Sequence, residues 1–253
     1  MKTNFHTHTN FSDGENSPEE MVLSAIERGF TALGISDHAF SPYWDIELKF
    51  ERLPEYLTEI NRLKEKYCGK IAIFAGLEID SLSPFRREGP DYVIGSVHDI
   101  WLDDNTRVCV DYEASFVPGM PLEKFARAYY AAMIDMVRTR DIDIVGHFDL
   151  LTGYPLFDTG EAWYRETALE AVEAVAKSGK VVEVNTGGMA RGYKTIPYPE
   201  PWLLREFAKR GVSVTLSSDS HSVSTLDFGF EEADKLISGT GLTYAGISDI
   251  IRL

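Results

Sequence analysis

The sequence predicts an α/β protein of consecutive right-handed βαβ units, its parallel strands closing into a (β/α) barrel rather than an open doubly wound sheet. Three observations carry this. Short β-rich runs alternate with amphipathic helical stretches in seven successive units. No linker, low-complexity tract or repeat interrupts the 253 residues, so a single domain over 1–253 is expected. The strands end, one after another, in histidine or a carboxylate, at the face where a barrel carries its chemistry.

Each element has its own signal. The first strand runs from Lys2 to His8 and opens on a turn through Asp13-Gly14. Ser17-Pro18-Glu19-Glu20 is a capping box with proline at the first helical position, starting a helix to about Arg28 that Gly29 closes. Phe30 to Ser36 is the second strand, ending in Asp37-His38; an aromatic and acidic loop, Phe40 to Phe50, leads to a charged helix from Leu53 to Tyr67. Lys70 to Ala75 is the third strand, followed by Gly76-Leu77-Glu78. After a loop from Ser81 to Pro90, Tyr92 to Ser96 is the fourth strand and His98 follows it. An insertion, Trp101 to Pro121, precedes a helix from Leu122 to Thr139, and both this insertion and the Ser81 to Pro90 loop are expected on the face that carries the strand ends. Ile142 to Val145 leads to Gly146-His147; a helix from Glu161 to Lys177 stops at Gly179; Lys180 to Val184 leads to Asn185-Thr186-Gly187 and on to Arg191. Pro199 to Arg210 is helical, Val212 to Leu216 is the seventh strand, and Ser218-Asp219-Ser220-His221 follows it. A helix from Phe230 to Ile237 and a short apolar end, Leu242 to Ile251, complete the chain.

Composition narrows the function. With 44% hydrophobic residues, no run of membrane-spanning length and no apolar leader after Met1, the expectation is a soluble cytoplasmic protein. Cys68 and Cys109 show neither pairing nor metal-type spacing and read as reduced thiols. A net charge of −15 with no Lys/Arg run disfavours long nucleic acid as a partner, whereas a small anion bound at a metal remains compatible. Oligomeric state leaves no trace in the sequence.

The histidines point to that metal. Alternation along a strand puts His6 and His8 on one side, and Asp13 returns on the next turn. All six histidines, His6, His8, His38, His98, His147 and His221, fall at strand ends, joined by Glu78 and Asp219, which follow apolar runs where a lone carboxylate is costly to bury. One catalytic zinc takes about three protein ligands, so the nine donors imply two or three divalent ions; imidazole and carboxylate suit Zn, Fe or Mn. Three such ions against three carboxylates leave a positive pocket for an anion such as phosphate. Asp37, Asp99 and Asp149, beside these histidines, read as orienting or structural groups.

His6-Thr-His8 with Ser12-Asp13-Gly14, Ser36-Asp37-His38, Gly76-Leu-Glu78, Gly95-Ser-Val-His98, Gly146-His147 and Ser218-Asp219-Ser-His221 resemble the ordered motifs of the PHP (polymerase and histidinol phosphatase) superfamily. Chain length, Asp91-Tyr-Val-Ile-Gly-Ser-Val-His98 and Glu183-Val-Asn-Thr-Gly-Gly188 are similar to its histidinol-phosphatase branch. The resemblance implies a distorted, TIM-like (β/α)7 barrel with a trinuclear centre. It implies His6, His8, Glu78 and Asp219 on one ion, Glu78 bridging to a second held by His98 and His147, and Asp13, His38 and His221 on the third. Arg191 matches a phosphate-binding position. The implied activity is a metal-dependent phosphomonoesterase in which activated hydroxide attacks phosphorus and Asp219 or a bound water protonates the leaving group. L-Histidinol phosphate is the lead substrate. A phosphodiesterase or exonuclease, a phosphatase for another small ester, and a non-enzymatic metal-binding module are the alternatives.

Overall fold

The computed structural model describes residues 2–45, 47–103, 106–110, 119, 121–153 and 155–251. Eight parallel strands form one curled sheet in chain order: β1 Thr3–Asn4, β2 Ala32–Ile35, β3 Ala72–Asp80, β4 Tyr92–Ser96, then β7 Ile144–Val145, β8 Val181–Asn185, β9 Ser213–Ser217 and β10 Thr243–Tyr244. Between them a separate antiparallel hairpin is made by β5 Asp99–Asp103 and β6 Thr106–Cys109. The helices are α1 Pro18–Glu27, α2 Leu53–Lys66, α3 Leu122–Thr139, α4 Ala162–Ser178, the one-turn α5 Gly187–Ala190, α6 Pro201–Lys209, α7 Phe230–Thr240 and the short α8 Ile247–Ile250.

Local chemistry sets these limits. Ser17 caps α1, its hydroxyl accepting from Glu20 N while the Glu20 carboxylate accepts from Ser17 N at 2.8 Å. Gly179 ends α4 in the left-handed conformation at φ 69°. The apolar residues separate into two groups. An outer layer packs the helices on the sheet. A smaller inner group of Phe5, Tyr92, Ile94, Ile144 and Val181 fills the barrel, closed below by Ile250 and Ile251 at the end of α8.

Three expectations change. The third strand does not stop at Ala75. Its first half pairs with β2 and its second half, Gly76–Asp80, with Tyr92–Ser96 of β4, so Glu78 lies within a strand. Gly76 is no breaker here: a Cβ on it would sit 2.2 Å from Cζ of Tyr92, and its bareness admits that ring. The apolar tail supplies an eighth strand, β10, beside β9. Finally, the Ser81 to Pro90 loop does not stay at the C-terminal face. It begins there, with Ser83 Oγ donating to Phe40 O at 2.6 Å, and descends to the opposite end, where Arg87 meets Asp143 at 2.6 Å. The insertion Trp101 to Pro121 contributes the β5–β6 hairpin, and its residues 104–105, 111–118 and 120 lie outside the described ones. Among the described residues no helix is long and apolar enough to cross a membrane.

Candidate metal centre

The strand register delivers the donors. Beyond β1 the chain stays extended, so His6 and His8 point inward and Thr7 bridges to Ser220, with His8 N donating to Ser220 O at 2.8 Å. Beyond β2, His38 bridges to Glu78, and Glu78 itself is fixed by Ser96 Oγ at 2.5 Å. His98 follows β4; its amide donates to Asp80 at 2.8 Å, and Val110 N returns to His98 O at 2.6 Å. His147 follows β7, its amide donating to Glu183 at 2.8 Å. Asp219, after β9, takes φ 50°, a left-handed conformation that costs a non-glycine residue roughly 1 kcal/mol and clusters at functional sites.

These positions bring eight of the nine sequence-derived donors to one mouth in three overlapping groups: His8, Asp13, His38 and His221; His6, His8 and Glu78; and Glu78, His98 and His147. The ninth, Asp219, lies against His6 and His8 of the second group. Glu78 is the hub. Its Oε2 lies 3.2 Å from His6 Nε2, 3.5 Å from His8 Nε2 and 3.0 Å from His38 Nδ1, and its Oε1 lies 3.1 Å from His147 Nε2. Asp219 Oδ1 lies 3.1 Å from His8 Nε2 and 3.5 Å from His6 Nε2. Asp13 reaches His221 Nε2 at 3.3 Å. Unlike the sequence-based partition, the geometry also places His8 with Asp13, His38 and His221, its Nδ1 3.8 Å from Asp13.

The donor set fits divalent ions. His6 Nε2, both ring nitrogens of His8, and Glu78 Oε2 are buried without a hydrogen-bond partner, and the Nε2 atoms of His98 and His147 face each other at 3.2 Å. Converging lone pairs of this kind, buried and otherwise unsatisfied, are the arrangement a cation resolves. Burial, with His221 and His38 nearby, pushes the His8 pKa down to about 3, leaving a neutral imidazole. Burial pushes Glu78 the other way, yet His6, His98 and His38 hold it well below the ordinary carboxylate range. Burial also opposes ionisation of Asp219, and Arg191 and His6 overcome it, again holding the carboxyl low.

Arg191, at the C-terminal end of α5, donates from Nη2 to Asp219 Oδ2 at 2.6 Å and from Nη1 to the Asp219 carbonyl at 3.2 Å. Gly187 makes room for it: a Cβ there would lie 2.9 Å from Arg191 Nη1. Of the flanking aspartates, Asp37 accepts from Thr9 N, Thr9 Oγ1 and Ser12 Oγ and so braces the loop that carries Asp13; Asp149 accepts from Glu200 N; Asp99 pairs with Arg107. They hold backbone and loops together rather than histidine rings. Sequence reasoning missed the group that does hold a ring. Glu183, buried in β8, accepts from His6 Nδ1 at 2.7 Å, which turns His6 Nε2 toward Glu78. Its signal was a single carboxylate inside Val-Val-Glu-Val.

Above the donors opens a cavity of about 660 Å³, walled by Tyr43, Trp44, Arg107, Leu150 and Arg191 and rimmed by Glu15 and Asp45. Trp44 packs edge-on against His38 and His98, with ring centres 5.5 and 5.0 Å apart.

Residues 4–187 match the PHP domain. The chain is 31% identical over 250 residues to the Deinococcus radiodurans protein named "Probable histidinol-phosphatase", covering 93% of this chain and 92% of that one. It is 30% identical to the histidinol-phosphatase of Lactococcus lactis, over 97% of this chain and 95% of the relative. The crystal structure of the Lactococcus lactis histidinol phosphate phosphatase, complexed with zinc, L-histidinol and phosphate, superposes with a TM-score of 0.74 at 28% identity, covering 100% of this chain and 99% of that one. A crystal structure from Listeria monocytogenes, 21% identical, shares the fold with a TM-score of 0.81 over 91% of this chain and 99% of that one. The chain therefore belongs to the PHP domain family, among the relatives of the histidinol-phosphatases.

Proposed function

We propose that this protein is a metal-dependent phosphomonoesterase that hydrolyses L-histidinol phosphate to L-histidinol and phosphate. The observation that carries the reading is the gathering of six histidines and Asp13 around Glu78 and Asp219 beneath one cavity. The activity named for the relatives, and the zinc, L-histidinol and phosphate in the Lactococcus lactis structure, support it.

In this reading His6, His8, Glu78 and Asp219 hold one divalent ion; Glu78, His98 and His147 a second; Asp13, His38 and His221 a third. Ions held there supply Lewis acidity toward phosphoryl oxygens and make water a nucleophile near neutral pH. Arg191 binds the phosphoryl group and lies against Asp219. Because Arg191 and His6 keep the Asp219 carboxyl ionised, its suited role is to hold an ion and position Arg191 rather than to donate a proton to the leaving oxygen, and that proton would come from a water in the site. Tyr43 and Trp44 offer apolar faces to an imidazole, while Glu15 and Asp45 face its ammonium. A small cavity rimmed by acids suits a cationic alcohol better than a polynucleotide backbone.

The test is elemental analysis of the purified protein together with turnover on histidinol phosphate, sugar phosphates, nucleotides and short oligonucleotides. Two or three equivalents of divalent metal and a preference for histidinol phosphate are expected. Glu78→Gln and His221→Ala should each lower turnover by at least 100-fold with loss of bound metal. Equal turnover of all esters would overturn the substrate, and full activity in both variants the site.

A further inference from the structure

We propose that Arg107, on the β5–β6 hairpin, is a second phosphate-binding residue, contacting the phosphoryl group from the side of the cavity across from Arg191. The proposal rests on the phosphomonoesterase reading above and adds to it a residue outside the sequence motifs.

The placement follows from pleating. Trp101 is opposite Arg107 and Asp99 is opposite Cys109, so these four side chains share one face of the hairpin. Ile100 and Val108, between them, turn into the core and are buried. The hairpin is not a free flap: Val110 N donates to His98 O, so its register is tied to a donor histidine. Arg107 is consequently carried into the cavity that also opens onto His98 and His147.

Its guanidinium is held rather than searching. Nη1 pairs with the buried Asp99, and the guanidinium carbon lies 4.6 Å over the Tyr43 ring. A guanidinium has five N–H donors in one plane, so a carboxylate on one edge leaves the other edge to meet a second anion. The side chain keeps 30% of its surface exposed, as a group facing a cavity does. Among the described lining residues only Arg107 and Arg191 are permanent cations. They enter from different strands, Arg107 after β4 and Arg191 after β8, with His147 at the end of the intervening β7. A tetrahedral anion over His147 would meet one arginine on each flank.

The experiment is calorimetric titration of the metal-loaded protein with inorganic phosphate and, separately, with L-histidinol, for the parent, Arg107→Gln and Arg107→Lys. Loss of one charge-assisted contact corresponds to roughly 10- to 100-fold weaker binding. Arg107→Gln should weaken phosphate by that factor, change L-histidinol less than twofold, and raise KM for the ester more than it lowers kcat; Arg107→Lys should recover part of the phosphate affinity. Unchanged phosphate binding, equal weakening of both ligands, or weakening of L-histidinol alone would overturn the assignment. If Arg107→Gln does not fold, the Lys variant decides: unaltered phosphate affinity and KM there would reject a role for the planar guanidinium. Should the parent bind phosphate yet hydrolyse no ester, the phosphomonoesterase reading fails while the phosphate contact is still tested.

Discussion

Glu183 shows how much of a metal centre lies one shell behind its donors. Its Oε1 accepts from His6 Nδ1, and its Oε2 accepts from His147 N at 2.8 Å and Asn185 Nδ2 at 3.0 Å, so one buried carboxylate orients a donor ring and anchors the backbone of another. Burial pulls the His6 imidazole toward neutrality, but Glu183, Glu78 and Asp219 outweigh it and raise the pKa well above the ordinary value. Without a cation, a proton takes the place the cation would occupy. Glu183→Gln keeps the shape and removes the charge, and its amide must turn an N–H toward either the ring or the His147 amide. The expected result is a 10- to 100-fold loss of metal affinity or turnover with retained circular dichroism, checked by elemental analysis beside kinetics. Parent-level metal content and turnover would show that Glu183 only fills space. The donors themselves were legible because histidine is rare in this chain and each one sits at a strand end. Glu183 was not, because within an apolar strand a lone carboxylate looks like any half-exposed position until the far side is known to be a ring of imidazoles.

At the scale of the element, the barrel wall is shaped by what glycine leaves out. Tyr92 stands inside the barrel and donates to Phe5 O at 2.6 Å, its ring lying over the bare backbones of Gly34 and Gly76. A Cβ on Gly34 would fall 2.1 Å from the Tyr92 hydroxyl and 3.1 Å from Cα of Phe5, so the ring cannot stay where it is. Gly34→Ala should destabilise by about 1–3 kcal/mol, as overpacking does. At roughly 2–4 °C per kcal/mol for a chain of this size, thermal unfolding should fall by several degrees. Adding Tyr92→Phe removes the nearest atom and should recover part of the loss; a double variant no better than Gly34→Ala would place the strain elsewhere. The same close approach explains the misjudged third strand: glycine signals a break in a single sequence, whereas here it marks contact with a neighbour supplied by a later strand. The hairpin was hidden for a different reason. Alternation from Asp99 to Asp103 and from Thr106 to Cys109 is present but short, and it lies in an insertion whose partner is local rather than the main sheet.

For the whole molecule, the order of the strands was readable from the βαβ alternation, but the way the sheet meets itself was not. β9 spends its edge on β10, and the gap to β1 is spanned by the Thr7–Ser220 bridge and by side chains: Asn4 Nδ2 donates to Ser218 Oγ at 2.6 Å and to Leu226 O at 3.1 Å. Outside this seam, Asp227 joins Lys2 at 2.7 Å and Arg28 at 2.5 Å, tying the start of β1 and the end of α1 to the segment before α7. Side-chain exposure of 25% for Asp227 and about a third for its partners leaves solvent to screen the pairs, so the clamp contributes on the order of 1 kcal/mol. Partial burial would raise the Asp227 pKa, but Lys2 and Arg28 lower it overall. A depressed native pKa means that this stability is present above the unfolded value of about 3.9 and is lost as pH falls through the native value. Asp227→Asn should therefore melt a few degrees below the parent at pH 7, and the two curves should converge as the buffer is taken below about pH 4. High salt at pH 7 should narrow the gap as well, since screening acts on both pairs. A difference that persisted in acid would assign the effect to packing at the seam instead of to charge.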